Sequence, residues 1–261
     1  MTVITLISDW GLNDYYTAAV KGMIFKHLPD ANVIDISHQI TPFDVGQAAY
    51  VLKNTYRSFP DNTIHIVGVN TEESIEHPHA VAYFNKQYFI GADNGVFSLI
   101  FDKPPEKLVE LDILQDSDHF TFSGRDRFVK AAVHLAKGGK IEDLGAKKEG
   151  LITKMPFVPV VDKDYIRGIV THIDTYENLI TNIPKSLFTK KVKNKNFTIS
   201  LRSAKLSAIH TSYDDVPHGD VVAIFASHGM LEIAMNKSKA ASLLGIDRKF
   251  PVIIEIESNS T

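Results

Sequence analysis

Apolar residues in the first part of the chain gather in short runs, separated by stretches in which they recur at helical spacing. Residues 3–7, 32–37 and 63–69 are such runs and read as strands. Between the first two, Tyr16, Ala19, Val20, Met23, Ile24 and Leu28 fall on one face of a helix over 14–28, with Asn13 or Asp14 available to cap it. Between the second and third, Val45, Ala48, Ala49, Leu52 and Tyr56 mark another amphipathic helix, and Asp44 with Gln47 has capping-box spacing. A strand–helix–strand–helix–strand order predicts a parallel sheet. The alternation then breaks at a polar, acidic loop over 70–78. Residues 80–84 and 87–90 flank Asn85-Lys86 as a hairpin, 107–111 read as a further strand, and 121–138 as a helix.

Beyond a proline-bearing stretch over 156–165 the texture changes to short strand-like runs at 166–173, 179–183, 197–201, 221–226 and 252–256. Only brief helical pieces fit, near 184–188 and 238–244. The chain is therefore expected to be an α/β protein in two parts. A domain over 1–158 holds a mainly parallel central sheet, a linker spans 159–165, and a small β-rich, barrel-like domain covers 166–261.

Composition narrows the function classes. Of 261 residues, 44% are hydrophobic and 23% charged, enough for a full core. A formal charge of −3 offers no basic field for nucleic acid or an anionic membrane. The absence of cysteine excludes disulfides, thiol catalysis and thiolate metal sites. The first residues carry no basic stretch before Asp9, so no signal peptide is expected, no apolar run approaches the roughly 20 residues that span a bilayer, and the cytoplasm is the default location.

No phosphate-cradling glycine loop, zinc-binding H-E-x-x-H or nucleophile elbow occurs. His77 and His79 alone fall short of a metal ligand set, and no metal is expected. Polar clusters remain at strand ends: Ser8-Asp9, residues 70–77, Ser123-Gly124-Arg125-Asp126, residues 174–178, and Ser227-His228-Gly229. Asp9 falls where the first strand ends, the rim at which open α/β sheets bind ligands. Its position fits two readings equally: a cap or turn brace, or a carboxylate that accepts bonds from sugar hydroxyls.

Taken together, Ser8-Asp9-Trp10-Gly11, Asp35-Ile36-Ser37-His38 with Thr41-Pro42-Phe43-Asp44, Asp93-Asn94-Gly95, Gly124-Arg125-Asp126, His172-Ile173-Asp174 with residues 178–182, and residues 227–236 resemble the S-adenosylmethionine hydroxide adenosyltransferase family, which also contains fluorinating and chlorinating enzymes. The resemblance spans nearly the whole chain. It implies a homotrimer whose sites lie at subunit interfaces, S-adenosylmethionine as substrate or ligand, and no separate cofactor. It implies that Asp9 holds the ribose hydroxyls, that Phe43 stands beside the substrate, and that Asp174 meets the methionine ammonium and Ser227 its carboxylate. Asn178 would bond the adenine, with Tyr176 and Tyr213 on its faces. Trp10, Asn94, Gly124, His228 and Glu232 complete the implied binding set.

The chain departs from the family where water is handled. Water-using members resemble one another in an Asp and an Arg within a loop of the form D-P-G-V-G-[ST]-x-R, and in a His before G-R-D. Here the loop opens with Asn70, is one residue shorter, holds Glu72, Glu73 and Glu76 but no arginine, and Ser123 stands at the His position. Glu177 replaces a glycine beside Asn178, and His228 stands where halogenating members carry an arginine. The expected catalytic set is therefore Asn70, Glu73, His77 and Ser123. Three accounts are open: adenosyl transfer to water with Glu73, Glu76 or His77 as base, transfer to another nucleophile, or binding without chemistry.

Overall fold

The structure, a computed structural model, describes residues 2–115 and 120–257. It divides into two compact units, residues 1–155 and 156–261.

The first unit runs β1 (Val3–Ser8), α1 (Tyr16–His27), β2 (Asn32–Ser37), α2 (Val45–Thr55), β3 (Ile64–Gly68), β4 (His79–Phe84), β5 (Gln87–Ala92), α3 (Val96–Ile100), β6 (Lys107–Glu110) and α4 (Val129–Ala136). Its six strands lie in the order β2-β1-β3-β5-β4-β6. The first four are parallel, and β4 is antiparallel to both neighbours. Strand alternation sends Ile7, Val67, Ala82 and Phe89 to one face, where Val45 and Leu52 of α2 and Phe97 of α3 cover them. Ile4, Leu6, Ile66, Val81 and Ile90 face the other way, against Val20 and Ile24 of α1 and Val129 and Ala132 of α4. Helices on both faces explain why these strands are almost continuously apolar. The sheet is thus the mainly parallel one expected.

Two helix starts differ from the sequence pattern. Neither Asn13 nor Asp14 caps α1; Tyr15 occupies the cap position and makes no side-chain cap bond. The helix expected over 121–138 opens instead as a π-helical turn, Gly124–Phe128, before α4. The amide of Val129 bonds Gly124 O, five residues back, which widens that turn. By contrast Asp44 Oδ1 does accept from Gln47 N at 2.8 Å, while Gln47 Oε1 accepts from Thr41 N rather than closing the box.

The second unit runs β7 (Val160–Val161), β8 (Tyr165–Ile173), β9 (Leu179–Pro184), α5 (Lys185–Val192), β10 (Phe197–Leu201), β11 (Ala204–Leu206), β12 (Val221–Phe225), β13 (Met230–Met235), α6 (Ala240–Leu244) and β14 (Pro251–Ile256). The path β11-β10-β14-β8-β9-β13-β12 is antiparallel throughout, and β7 pairs with β8 inside the stretch expected as linker. A bridge between His210 and Ile224 draws the two ends of the path together, so the sheet is nearly closed and barrel-like. Its interior is filled by Ile166, Val170, Leu179, Leu231, Ile233 and Ile254.

Candidate functional site

The carboxyl ends of β1, β3 and β5 gather the first set of polar groups. Asp9 follows β1 and turns one carboxylate oxygen to two neighbouring loops: Oδ2 accepts from Phe43 N at 2.9 Å and Asn70 N at 3.3 Å. No described residue bonds Oδ1. Asp9 is therefore a brace that uses one of its two oxygens. Phe43 and Asn70 both take left-handed backbone angles, φ +66° and +48°. For phenylalanine that conformation is strained, and the Asp9 bond helps to hold it. Phe43 is 73% exposed.

Asn94 is buried and donates to Val69 O and Asn70 O at 3.1 and 3.0 Å, fixing the start of the acidic loop rather than reaching outward. Trp10 is wedged between two glycines. A Cβ at Gly68 would come within 2.3 Å of its ring and one at Gly124 within 2.7 Å, so both positions require glycine for this close approach. The indole also meets Phe122 edge-on, and so it packs as much as it lines. Ser123 is buried beside it. Arg125 and Asp126 pair with each other, and Arg125 lies over the Phe122 ring.

Beneath the rim, Ser8 Oγ meets His38 Nδ1 at 2.6 Å, His38 Nε2 lies 3.0 Å from Asp35 Oδ1, and Lys21 reaches Asp35 Oδ2. Burial raises the Asp35 carboxyl, but Lys21 and His38 outweigh it and hold it below the usual carboxylate range. Ser8 has no exposed surface, so this serine–histidine–aspartate order supports the rim instead of attacking a substrate.

In the acidic loop, His77 N bonds Ser74 O and Oγ, a local turn that leaves Glu72, Glu73 and Glu76 exposed. Sequence reasoning found no arginine here. The fold supplies one: Arg127, from the π-helical turn, donates to Glu73 Oε2. It donates also to His79 Nδ1 at 3.1 Å, a histidine whose sequence context suggested only a weak metal ligand. The one clue in the sequence was a second arginine directly after Gly124-Arg125-Asp126. Among the described residues no group of three or more metal-ligating side chains forms a metal site.

The second unit brings another set together. Asp174 accepts from Tyr176 N and Asn178 N through Oδ1, at 3.0 and 2.8 Å, and from Asn178 Nδ2 through Oδ2 at 3.1 Å. The intervening Glu177 has φ +64°, the left-handed angle for which the family glycine is suited. Glu177 compensates by accepting from Ser242 N at 2.9 Å at the start of α6 and pairing with Lys239, which depress its carboxyl to about 2. Asp174, Tyr176, Asn178 and Tyr213 line a cleft of about 770 Å³ with Asn236 and Lys239. Tyr176 is 76% exposed there. Tyr213 Oη donates to Glu232 Oε1 at 2.7 Å, and His228 Nε2 donates to Glu232 Oε2 at 3.0 Å, so the buried Glu232 carboxylate has both oxygens satisfied. Burial, with Glu232 adding to it, raises the Tyr213 hydroxyl well above its usual pKa. Ser227 is exposed in the turn between β12 and β13. Other clefts, of about 510 and 720 Å³, hold none of these residues.

An open α/β sheet with polar residues gathered on its carboxyl rim, joined in one chain to a barrel-like unit with an aromatic-lined cleft, has the architecture of a small-molecule-binding protein. The chain belongs to the SAM hydroxide adenosyltransferase family, whose N-terminal domain matches residues 4–145 and whose C-terminal domain matches residues 168–253. An (R)-S-adenosyl-L-methionine hydrolase of Thermus thermophilus is 29% identical over 97% of this chain and 99% of its own length. A fluorinase of an Actinoplanes species is 22% identical over 92% of each. The crystal structure of an uncharacterised conserved protein from Thermotoga maritima superposes with a TM-score of 0.87 at 29% identity, covering 97% of this chain and 99% of that one.

Proposed function

We propose that this protein is an S-adenosylmethionine hydrolase that transfers the adenosyl group to water and releases adenosine and L-methionine. The water oxygen attacks the ribose 5′ carbon, the carbon–sulfur bond breaks with its electron pair going to sulfur, and the water gives up a proton. The leaving group is a neutral thioether, so the protein's task is to align the substrate and orient the water. In this reading Asp9 Oδ1 accepts from the ribose hydroxyls beside Phe43, and Asp174 and Ser227 hold the amino-acid end. Asn178, Tyr176 and Tyr213 hold adenine, while His228 and Glu232 stiffen that wall. Asn70, Glu73, His77 and Ser123 surround the water. The division of labour is between a domain over 1–158 and one over 166–261, working in a homotrimer in the cytoplasm with sites at subunit interfaces.

The observation that carries this reading is Asp9, which holds both rim loops through one oxygen and keeps the other unbonded by the described residues, in a chain that matches both family domains. Water is favoured over a halide because exposed Glu72, Glu73 and Glu76 repel an anion approaching the rim. Prolonged incubation with S-adenosylmethionine, followed by mass spectrometry, is expected to yield adenosine and methionine in equal amounts, with no 5′-halogenated product in fluoride or chloride. Calorimetric binding with intact substrate would instead identify a non-catalytic binder. Absence of binding by both S-adenosylmethionine and adenosine would sink the reading.

A further inference from the structure

The acidic loop is exposed along most of its length yet is pinned by side chains from elsewhere in the fold. Arg127, with a side chain only 11% exposed, donates through Nη1 to Glu73 Oε2 and His79 Nδ1, and through Nη2 to Leu111 O at 2.7 Å. His79, the first residue of β4, has no exposed surface, and its Nε2 meets Thr71 O at 2.9 Å. A carbonyl can only accept, so Nε2 carries the ring proton and Nδ1 is the acceptor for Arg127. One neutral tautomer satisfies both bonds, and burial, which pushes the His79 pKa down, favours that neutral form. The nearly buried guanidinium needs a counter-charge, and Glu73 supplies it.

The Glu73 carboxylate is thereby divided in function. Oε2 is held by Arg127. Oε1 lies 3.6 Å from His79 Nδ1, which has no proton to give, and the side chain is 43% exposed. Two residues earlier Thr71 is tied to His79, and Asn70 is tied to Asp9. The loop between Asp9 and Arg127 is thus fixed at three successive points.

We infer that Arg127 and His79 are positioning residues that lock residues 70–78 and aim Glu73 Oε1 at the attacking water. This rests on the hydrolytic reading. The step balances: the water oxygen bonds the 5′ carbon, the carbon–sulfur electron pair leaves with methionine, and the proton passes to Glu73. A lysine at 127 would keep the charge but could not fork to Glu73, His79 and Leu111 together.

Four variants test the inference: Arg127→Met, Arg127→Lys, Glu73→Gln and the Arg127→Met/Glu73→Gln double. Arg127→Met is expected to lower kcat about tenfold or more while the calorimetric Kd for S-adenosylmethionine changes less than about threefold, and Arg127→Lys recovers part of the rate. In the Glu73→Gln background, Arg127→Met costs less than about twofold further, because the two act as one unit. A full independent loss in that background overturns the inference. A second readout needs no turnover: Arg127→Met should speed amide hydrogen exchange across residues 71–77 about tenfold while β1 and β5 stay protected. Unchanged exchange would also overturn it. A wild-type protein that binds substrate without hydrolysing it defeats the hydrolytic reading, and the exchange data still decide whether Arg127 locks the loop.

Discussion

At Asp9 one carboxylate oxygen is committed to the fold, and the proposed binding role falls to the other. Its Oδ2 holds the amides of Phe43 and Asn70, and its Oδ1 is unbonded by the described residues. Substitution separates the two uses. Asp9→Ala removes both and should weaken S-adenosylmethionine binding by roughly 1.5–3 kcal/mol for each charged hydrogen bond lost, read by calorimetry. Asp9→Asn keeps an acceptor for the two amides, so its melting temperature should stay near wild type while affinity still falls. An unchanged affinity in both variants would reduce Asp9 to a brace. Trp10 sets a different constraint, because the ring fills the space where a Gly68 side chain would begin, 2.3 Å from the nearest ring atom. Gly68→Ala should therefore destabilise the protein by about 1–3 kcal/mol through overpacking, measured by denaturant unfolding.

At the level of elements, the turn from β8 to β9 and the short helix α6 depend on each other. Glu177 sits in the turn at φ +64°, a backbone cost for a residue with a Cβ, and offsets it by capping α6 through Ser242 N and pairing with Lys239. Glu177→Ala keeps the strain and loses the cap. Glu177→Gly loses the cap but relieves the strain. The melting temperature should fall further for alanine than for glycine, and the reverse order would show that the backbone angle costs less than the extra freedom glycine gives the unfolded chain. The same turn presents Tyr176 and Asn178 to the cleft, so both variants should also weaken adenosine binding.

Across the whole molecule, stability should fall in mild acid because of buried histidine. His65 on β3 has no exposed surface, bonded to Thr5 Oγ1 at 2.7 Å and Gln87 Oε1 at 3.0 Å. Burial pushes its pKa down to about 4, against an unfolded value near 6.5. Between these values the unfolded chain takes up a proton that the folded chain refuses, so stability present above pH 6.5 is lost as pH falls toward 4. The loss reaches about 3 kcal/mol for this one residue. His79, also shifted down by burial, acts in the same direction. Urea unfolding at a series of pH values should show this slope, and His65→Gln should flatten it whatever its effect at neutral pH. A slope of equal size in the variant would remove His65 as the cause.

Much of this protein was written locally. Strand β2, the Asp44 cap of α2, the hairpin around Asn85-Lys86 and the change of texture before the second unit all follow from spacing of apolar and turn-forming residues, because burial imposes its period on neighbouring positions. The motifs at strand ends likewise marked which residues the rim would collect. Local pattern failed where a polar residue is buried by a distant partner. Strand β13 is not legible in the sequence because Glu232 interrupts its apolar run, and Glu232 is tolerated inside only because Tyr213 and His228 satisfy it. Arg127 and Glu73 stand 54 residues apart, and nothing in either segment names the other. The sequence by itself determined the layers, the rim and the family. Only the tertiary structure decided that the acidic loop has a cation and a neutral histidine beneath it, since such a pairing depends on topology bringing the rim's loops together and not on any periodicity along the chain.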